Sequence, residues 1–361
     1  MIATLPGPFE RELRRLEPCA LSDEAAQLAR DRWNAVAKPI GSLGLLEDYV
    51  VQMAALTGSA DIDISRRCVV VFCADNGVVA EGVSQCGQEI TTLVAEKIAR
   101  GNSSVCSMCA PVGIDCLAVD IGMAQVPQVE GLIDCHIADG THNIAQGPAM
   151  TREQAAQAIC QGASLVRELK AQGYGLLATG EMGIGNTTTT TAMVSVLLHK
   201  DPAELVGRGA GLSDEGLVRK RQAIERALRV NEPDPDDVLD VLSKVGGFDI
   251  AGMCGMVLGG AAYRVPVVAD GLISTLAAYC AYRLQPGCIS AVLASHVSAE
   301  PAARLLLDLM GLQAPIDAGL RLGEGTGAAC LIPLLDMALS LYGQGLSFSE
   351  YGMEPYEVRP S

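Results

Sequence analysis

The run Tyr174-Gly-Leu-Leu-Ala178, followed by Thr179-Gly-Glu-Met-Gly-Ile-Gly-Asn-Thr-Thr-Thr-Thr-Thr-Ala192, limits the fold more than any other part of the chain. Five largely apolar residues read as a buried strand, Ala192 to Leu198 reads as a helix, and a glycine-rich turn separates them. Gly180, Gly183 and Gly185 let the backbone approach a ligand closely, while Asn186, Thr187 and Thr188 place polar side chains and free N–H groups at a helix start. Such a turn suits an anion, most simply a phosphate. It is neither a P-loop, since no Gly-Lys-Ser/Thr follows, nor the Gly-x-Gly-x-x-Gly dinucleotide turn. Glu181 is its odd member, a carboxylate in a turn expected to attract negative charge; a solvated acid at a helix cap is the alternative reading.

The same sequence of strand, turn and helix recurs along the chain. Cys68 to Cys73 is an apolar run ending in Asp75-Asn-Gly, Asp115 to Ile121 is a second, Val265 to Asp270 ends in Asp270-Gly271, and Ile289 to Ala294 leads to Ser295-His-Val-Ser298. Arg321-Leu-Gly-Glu-Gly-Thr-Gly327 repeats the logic of the first turn, with one acid, Glu324, before the apolar helix Ala329 to Leu341. Ile90 to Arg100 and Glu215 to Val230 are helical, and an apolar helix built on small residues starts near Gly246. Strands alternating with helices predict an α/β fold, a Rossmann-like parallel sheet with helices on both faces, whose ligands bind at the carboxyl ends of the strands. From Phe9 to about Thr57 the pattern is helical outside that alternation, which predicts a small cap.

Hydrophobic residues at 49%, charged residues at 19% and 39 glycines in 361 residues fit buried strands and tight turns. A net charge of −16 with no basic run argues against nucleic acid and against anionic membrane surfaces as partners. Thirteen cysteines scattered through apolar segments read as buried thiols of a reducing, cytoplasmic protein, and Cys106-Ser-Met-Cys109 has no second pair to complete a metal site. The chain opens with no signal-peptide pattern, and its longest apolar runs are interrupted. His136 and His142 have a spacing unlike any common metal site. Lys38, in the turn Lys38-Pro-Ile-Gly, is either a linker feature or a phosphate contact. Lys220, between Arg219 and Arg221, is either a phosphate contact or part of a solvated helix face.

If the loops of Glu181 and Glu324 meet at one sheet edge, they share a pocket with Asp75, Asp270, Ser298 and Lys220. A carboxylate among glycine backbone and apolar neighbours has a raised pKa and suits general-base work. The chemistry implied is proton abstraction beside a bound phosphorylated ligand. Lys38 to Gly44, Asp75 to Ser84, Thr179 to Thr188, Gly207-Arg-Gly-Ala-Gly211, Ala269-Asp-Gly271, Ser295 to Glu300 and Arg321 to Gly327, in that order, resemble the nicotinate-nucleotide:dimethylbenzimidazole phosphoribosyltransferase family, the CobT enzymes of cobamide synthesis.

That resemblance implies transfer of 5-phosphoribose from nicotinate mononucleotide to the lower-ligand base of a cobamide, giving an α-riboside 5′-phosphate and nicotinate. It implies a large α/β catalytic domain, here 61–334, with a small helical domain from both termini, 1–60 and 335–361, a homodimer with its site near the subunit interface, and no metal or organic cofactor. Glu324 matches the family's general base, and Glu181 lies in the same site. Phosphate and ribose fall to Gly183, Gly185, Asn186, Thr187, Thr188, Gly209, Lys220, Asp270 and Gly271. The aromatic base falls to Asp75, Ser84, Gln88, Met182, Ser298, Arg321, Leu322 and Gly323. One position departs from the pattern: the family usually reads Asp-His-Gly where this chain has Asp75-Asn76-Gly77. The acceptor therefore stays open among benzimidazoles, purines and phenols, the last used by relatives that work as a pair of unlike subunits. Two further readings are a nucleotide-binding protein without turnover and a purine or pyrimidine phosphoribosyltransferase, the latter disfavoured because the acidic diphosphate motif is missing.

Overall fold

The computed structural model describes residues 7–209 and 211–356. The first six and last five residues of the predicted small domain, and Ala210 of the Gly207–Gly211 segment, lie outside the described residues. Six strands form the sheet: β1 Arg67–Ala74, β2 Asp115–Gly122, β3 Leu132–Asp134, β4 Leu176–Met182, β5 Val267–Ala269 and β6 Val292–Ala294. Every pairing is parallel, in the order β3-β2-β1-β4-β5-β6. This is the doubly wound order, and its direction reverses between β1 and β4.

Alternation along the central strands divides the core in two. Cys68, Val70 and Phe72 of β1 pack with helices Arg152–Ala171, Phe248–Tyr263 and Leu272–Leu284. Val69, Val71 and Cys73 face the other way, onto helices Asp23–Ala35, Leu45–Thr57, Glu89–Ala99, Ser104–Cys109 and Thr326–Gln344. The two terminal segments meet in this second layer. The Phe348 N–H donates to the Ala35 carbonyl at 3.2 Å, the Ala37 N–H to that of Leu346 at 2.8 Å, and Trp33 packs on Tyr342 with ring centroids 5.0 Å apart. Helix Thr326–Gln344 is long and apolar enough to cross a membrane by length and composition, but half of its most apolar window is buried inside this protein.

Sequence periodicity misplaced several boundaries. β4 does not stop at Ala178: Thr179, Gly180, Glu181 and Met182 pair with Val70, Val71, Phe72 and Cys73, so Glu181 belongs to a strand and not to a turn. The reason is a tertiary one, since pairing with β1 continues past the apolar run and carries β4 on to Met182. The following helix starts at Asn186, six residues earlier than expected, and takes in the whole threonine run. β3 has only three residues and carries no readable signal.

Helices Arg152–Ala171 and Phe248–Tyr263 cross so closely that small residues are obligatory. A methyl group on Gly255 would collide with the carbonyl of Ile159, and one on Gly162 with the carbonyl of Gly252; backbone cannot move aside as a side chain can. We expect Gly255→Ala to destabilise the fold by about 3 kcal/mol or more, the upper range for overpacking. Gly343→Ala, with nothing within 4 Å of the added carbon, should be neutral or stabilising. Thermal melts of the pair test this, and equal melting temperatures would refute the close crossing.

Candidate active site

The main cleft lies at the carboxyl edge of the sheet, lined by the ends of β4, β5 and β6 and by the loop that enters helix Thr326–Gln344. Glu181 and Met182, at the end of β4, form its floor, and Gly183, Ile184, Asn186, Thr187, Gly209, Asp270 to Ser274, His296, Ser298, Glu300 and Arg321 to Glu324 complete its lining. A second pocket opens from it past Gly183, Asn186, Thr187 and Gly209, and is walled by Val83, Ser84, Gln85, Gly185, Arg208, Leu212 and Lys220.

The Glu324 loop is built to present one carboxylate. Gly323, Glu324 and Gly325 have φ values of 86°, 59° and 87°, and Glu324 is one of few non-glycine residues in this region. Such strain persists only where the surroundings hold it. Asp270 does so: its Oδ2 accepts from the Gly325 N–H at 3.1 Å, and its Oδ1 from those of Gly327 at 2.8 Å and Ala328 at 3.2 Å, capping the helix. The loop also sits directly on β4, because a methyl on Gly180 would lie 2.7 Å from the Glu324 carbonyl oxygen. The Glu324 carboxylate is half-buried, and its Oε2 accepts from the Val105 N–H at 3.4 Å, at the start of helix Ser104–Cys109. Burial raises its pKa, the Val105 N–H opposes that rise, and Asp270 adds to it.

Beside it, Glu181 opens onto the cleft and is otherwise enclosed. Burial holds its carboxyl well above the usual range, with a further push from Asp249. His296 is buried, its Nδ1 3.0 Å from Ser295 Oγ, and burial lowers its pKa against the pull of Asp270.

The second pocket has the opposite character. Helix Asn186–Leu197 begins at Gly185, whose φ of 94° suits only glycine, and no side chain caps it. Lys220 reaches the same place from helix Asp214–Asn231. It is only 1% exposed, its Nζ donates to Thr187 Oγ1 at 2.8 Å and to the Gly207 carbonyl at 3.2 Å, and it forms no ion pair among the described residues. Burial lowers its pKa to about 8, opposed by Glu300. A buried ammonium without a carboxylate beside an uncapped helix N-terminus is a site for an anion. The solvated-face reading of Lys220 is therefore wrong.

One cleft thus has an anion-binding end and an acidic floor. A family model described as a phosphoribosyltransferase matches residues 19–353. A nicotinate-nucleotide–dimethylbenzimidazole phosphoribosyltransferase of Acetivibrio thermocellus is 42% identical over 337 residues, covering 93% of this chain and 96% of that protein. The enzyme of that name from Escherichia coli is 39% identical over 324 residues, or 90% of each chain. The crystal structure of CobT from Thermus thermophilus superposes with a TM-score of 0.86 at 38% identity, covering 92% of this chain and 100% of that one. The chain belongs to this phosphoribosyltransferase family.

Within the family fold, most residues singled out from the sequence converge. Glu324, Glu181, Gly183, Asn186, Thr187, Gly209, Asp270, Gly271, Met182, Ser298, Arg321, Leu322 and Gly323 line the main cleft. Gly185, Lys220 and Ser84 line the second pocket. Asp270 is not free for a ligand, since both oxygens serve the Glu324 loop. Thr188, Asp75 and Gln88 line neither cavity. Thr188 is buried inside the helix, Asp75 is buried with its Oδ2 on the Ala124 N–H at 2.8 Å, and Gln88 donates to the Asn76 carbonyl at 3.4 Å. Lys38 pairs with Glu47 at 2.7 Å in the terminal layer, so the linker alternative holds. Sequence reasoning missed Asp249, which is wholly buried and accepts from Asn186 Nδ2 at 2.9 Å. Its burial raises its pKa to about 6. Only the acid at the head of an apolar helix of small residues hinted at it. Asn76 lies behind the cleft near Asp249, and neither of its buried amide atoms has a partner.

Proposed function

We propose that the chain transfers 5-phosphoribose from nicotinate mononucleotide to a benzimidazole, giving an α-riboside 5′-phosphate and nicotinate. The observation that carries this reading is the pairing of a buried Lys220, with no ion pair among the described residues, at a helix N-terminus with a carboxylate, Glu324, presented by a strained loop in the adjoining cleft. The 5′-phosphate takes the Lys220 end, with Thr187, Gly209 and the first N–H groups of helix Asn186–Leu197. The ribose lies over Glu181 and Asn186, and the incoming base enters beneath Leu322, which is 56% exposed at the cleft mouth.

The ring nitrogen of the donor is already cationic, so it leaves with the C1′–N bonding pair and needs no acid. A nitrogen of the acceptor forms the new bond to C1′ from the opposite face, and its N–H proton passes to Glu324. Holding donor and acceptor in line supplies several kcal/mol of the barrier reduction.

The test is to incubate the protein with nicotinate mononucleotide and a panel of benzimidazoles, purines and phenols, and to identify the products by mass and anomeric configuration. An α-benzimidazole riboside phosphate with stoichiometric nicotinate is expected, from a species that light scattering shows to be a homodimer. Absence of any riboside in the panel would reject the reading.

A further inference from the structure

Asp249 does not line the cleft, yet it is joined to it through one amide. Asn186 Nδ2 carries two hydrogens, and it donates both to Asp249 Oδ2 at 2.9 Å and to Glu181 Oε2. The amide cannot turn over, because its oxygen would then face the Asp249 carboxylate, which has no proton to donate. Two enclosed carboxylates therefore share one neutral bridge. Glu181 is faced by Asp249 from helix Phe248–Tyr263, by Asp270 after β5, by Glu324 from its loop and by the Cys73 thiol of β1, with no cation among the described residues. Such a pair does not hold two negative charges near neutrality.

Geometry also decides where the proton resides. Asp249 sits in the first turn of a 16-residue helix, whose dipole favours its anion, and its Oδ1 accepts from the Ile250 N–H at 3.0 Å. The Glu181 carboxylate receives only the Asn186 N–H among the described residues. Its Oε1 lies under the loop, 2.7 Å from where a Gly323 side-chain carbon would stand and one residue from Glu324.

We infer that Asp249 is a positioning residue that, through the shared Asn186 amide, keeps a proton on Glu181 beneath the Gly323–Glu324 loop and so leaves Glu324 a neutral neighbour. This rests on Glu324 being the base. With Glu181 neutral, Glu324 ionises at a pH where it can accept the acceptor's proton. Burial is the larger force on the Glu181 proton and remains in the variant, but removing the Asp249 charge takes away the nearest anion, so Glu181 ionises at lower pH and that charge then opposes ionisation of Glu324. Losing one acid thus makes the base harder to ionise.

The expected result for Asp249→Asn is an acid limb of kcat/KM displaced to higher pH by about one unit, the usual scale for a neighbouring like charge. Glu181→Gln, which mimics the protonated acid, should leave that limb at its wild-type position whatever the rate, and the double variant should restore it. In the infrared, wild type minus Glu181→Gln at pH 7 should show a protonated carboxyl band. Asp249→Asn minus the double variant should show carboxylate bands instead. A limb that stays or moves to lower pH in Asp249→Asn, or an infrared band untouched by Glu181→Gln, overturns the inference. The Glu181→Gln spectrum decides even if Asp249→Asn does not fold. Persistence of the limb in Glu324→Gln would instead count against Glu324 as base, a separate failure that the infrared arm does not share.

Discussion

Glu324→Gln is expected to lower turnover by about two orders of magnitude or more, the scale of a lost general base, while nicotinate mononucleotide binds as tightly as before. Glutamine keeps the length of the side chain and an oxygen for the Val105 N–H, and the loop is held by Asp270 through backbone N–H groups that the substitution does not touch. What disappears is the group that takes the acceptor's proton. Because the loss falls on the transition state, kcat should drop with little change in donor affinity. Burial raises the pKa of this carboxyl, so the wild-type rate should fall with acidification through a limb above the ordinary glutamate range, and the variant should lack that limb. Steady-state rates across pH with calorimetric donor binding provide the check. Undiminished turnover would reject both the base and the catalytic reading of the loop.

Lys220→Met is expected to act on the opposite end of the cleft and in the opposite way. A charge-assisted hydrogen bond to phosphate contributes ~2–3 kcal/mol, so donor affinity should fall about 30- to 140-fold. The apo protein should become more stable. Folding lowers the pKa of this amine from 10.5 to about 8, so between those values the unfolded chain binds the extra proton and wild-type stability rises with pH. Below about pH 8 the full cost of burying the ammonium is present, and methionine removes it. The variant should thus melt above wild type at pH 7, with the gap closing towards pH 10.5. Donor binding to wild type should take up a proton above pH 8 and weaken as pH rises further, whereas binding to the variant should not show this dependence. A variant that loses stability while keeping donor affinity would show Lys220 to be a structural residue.

The two substitutions separate the halves of the cleft, and the halves differ in how plainly the sequence announces them. The glycine-rich stretches that contain Glu181 and Glu324 are visible because each interrupts an apolar run with residues that only a turn or a ligand site needs. Lys220 is ambiguous along the chain, since one lysine between two arginines on an amphipathic helix looks like a solvated face. Its burial follows from helix Asp214–Asn231 lying across the start of Asn186–Leu197, a contact between segments with no shared sequence signal.

The sequence alone determined the α/β class, the strands β1, β2, β4, β5 and β6, the family, and the two acids that face one another, because these rest on local hydrophobic period and on short motifs in fixed order. Tertiary structure decided the rest. Pairing with β1 drew Thr179 to Met182 into β4, the meeting of two helix starts set Asp249 against Asn186, and capping committed Asp270 to the Glu324 loop instead of to a ligand. Each is a matter of which distant backbone or side-chain groups come within hydrogen-bonding reach, and a linear pattern holds no information about that distance until the sheet has wound and brought its carboxyl edges together.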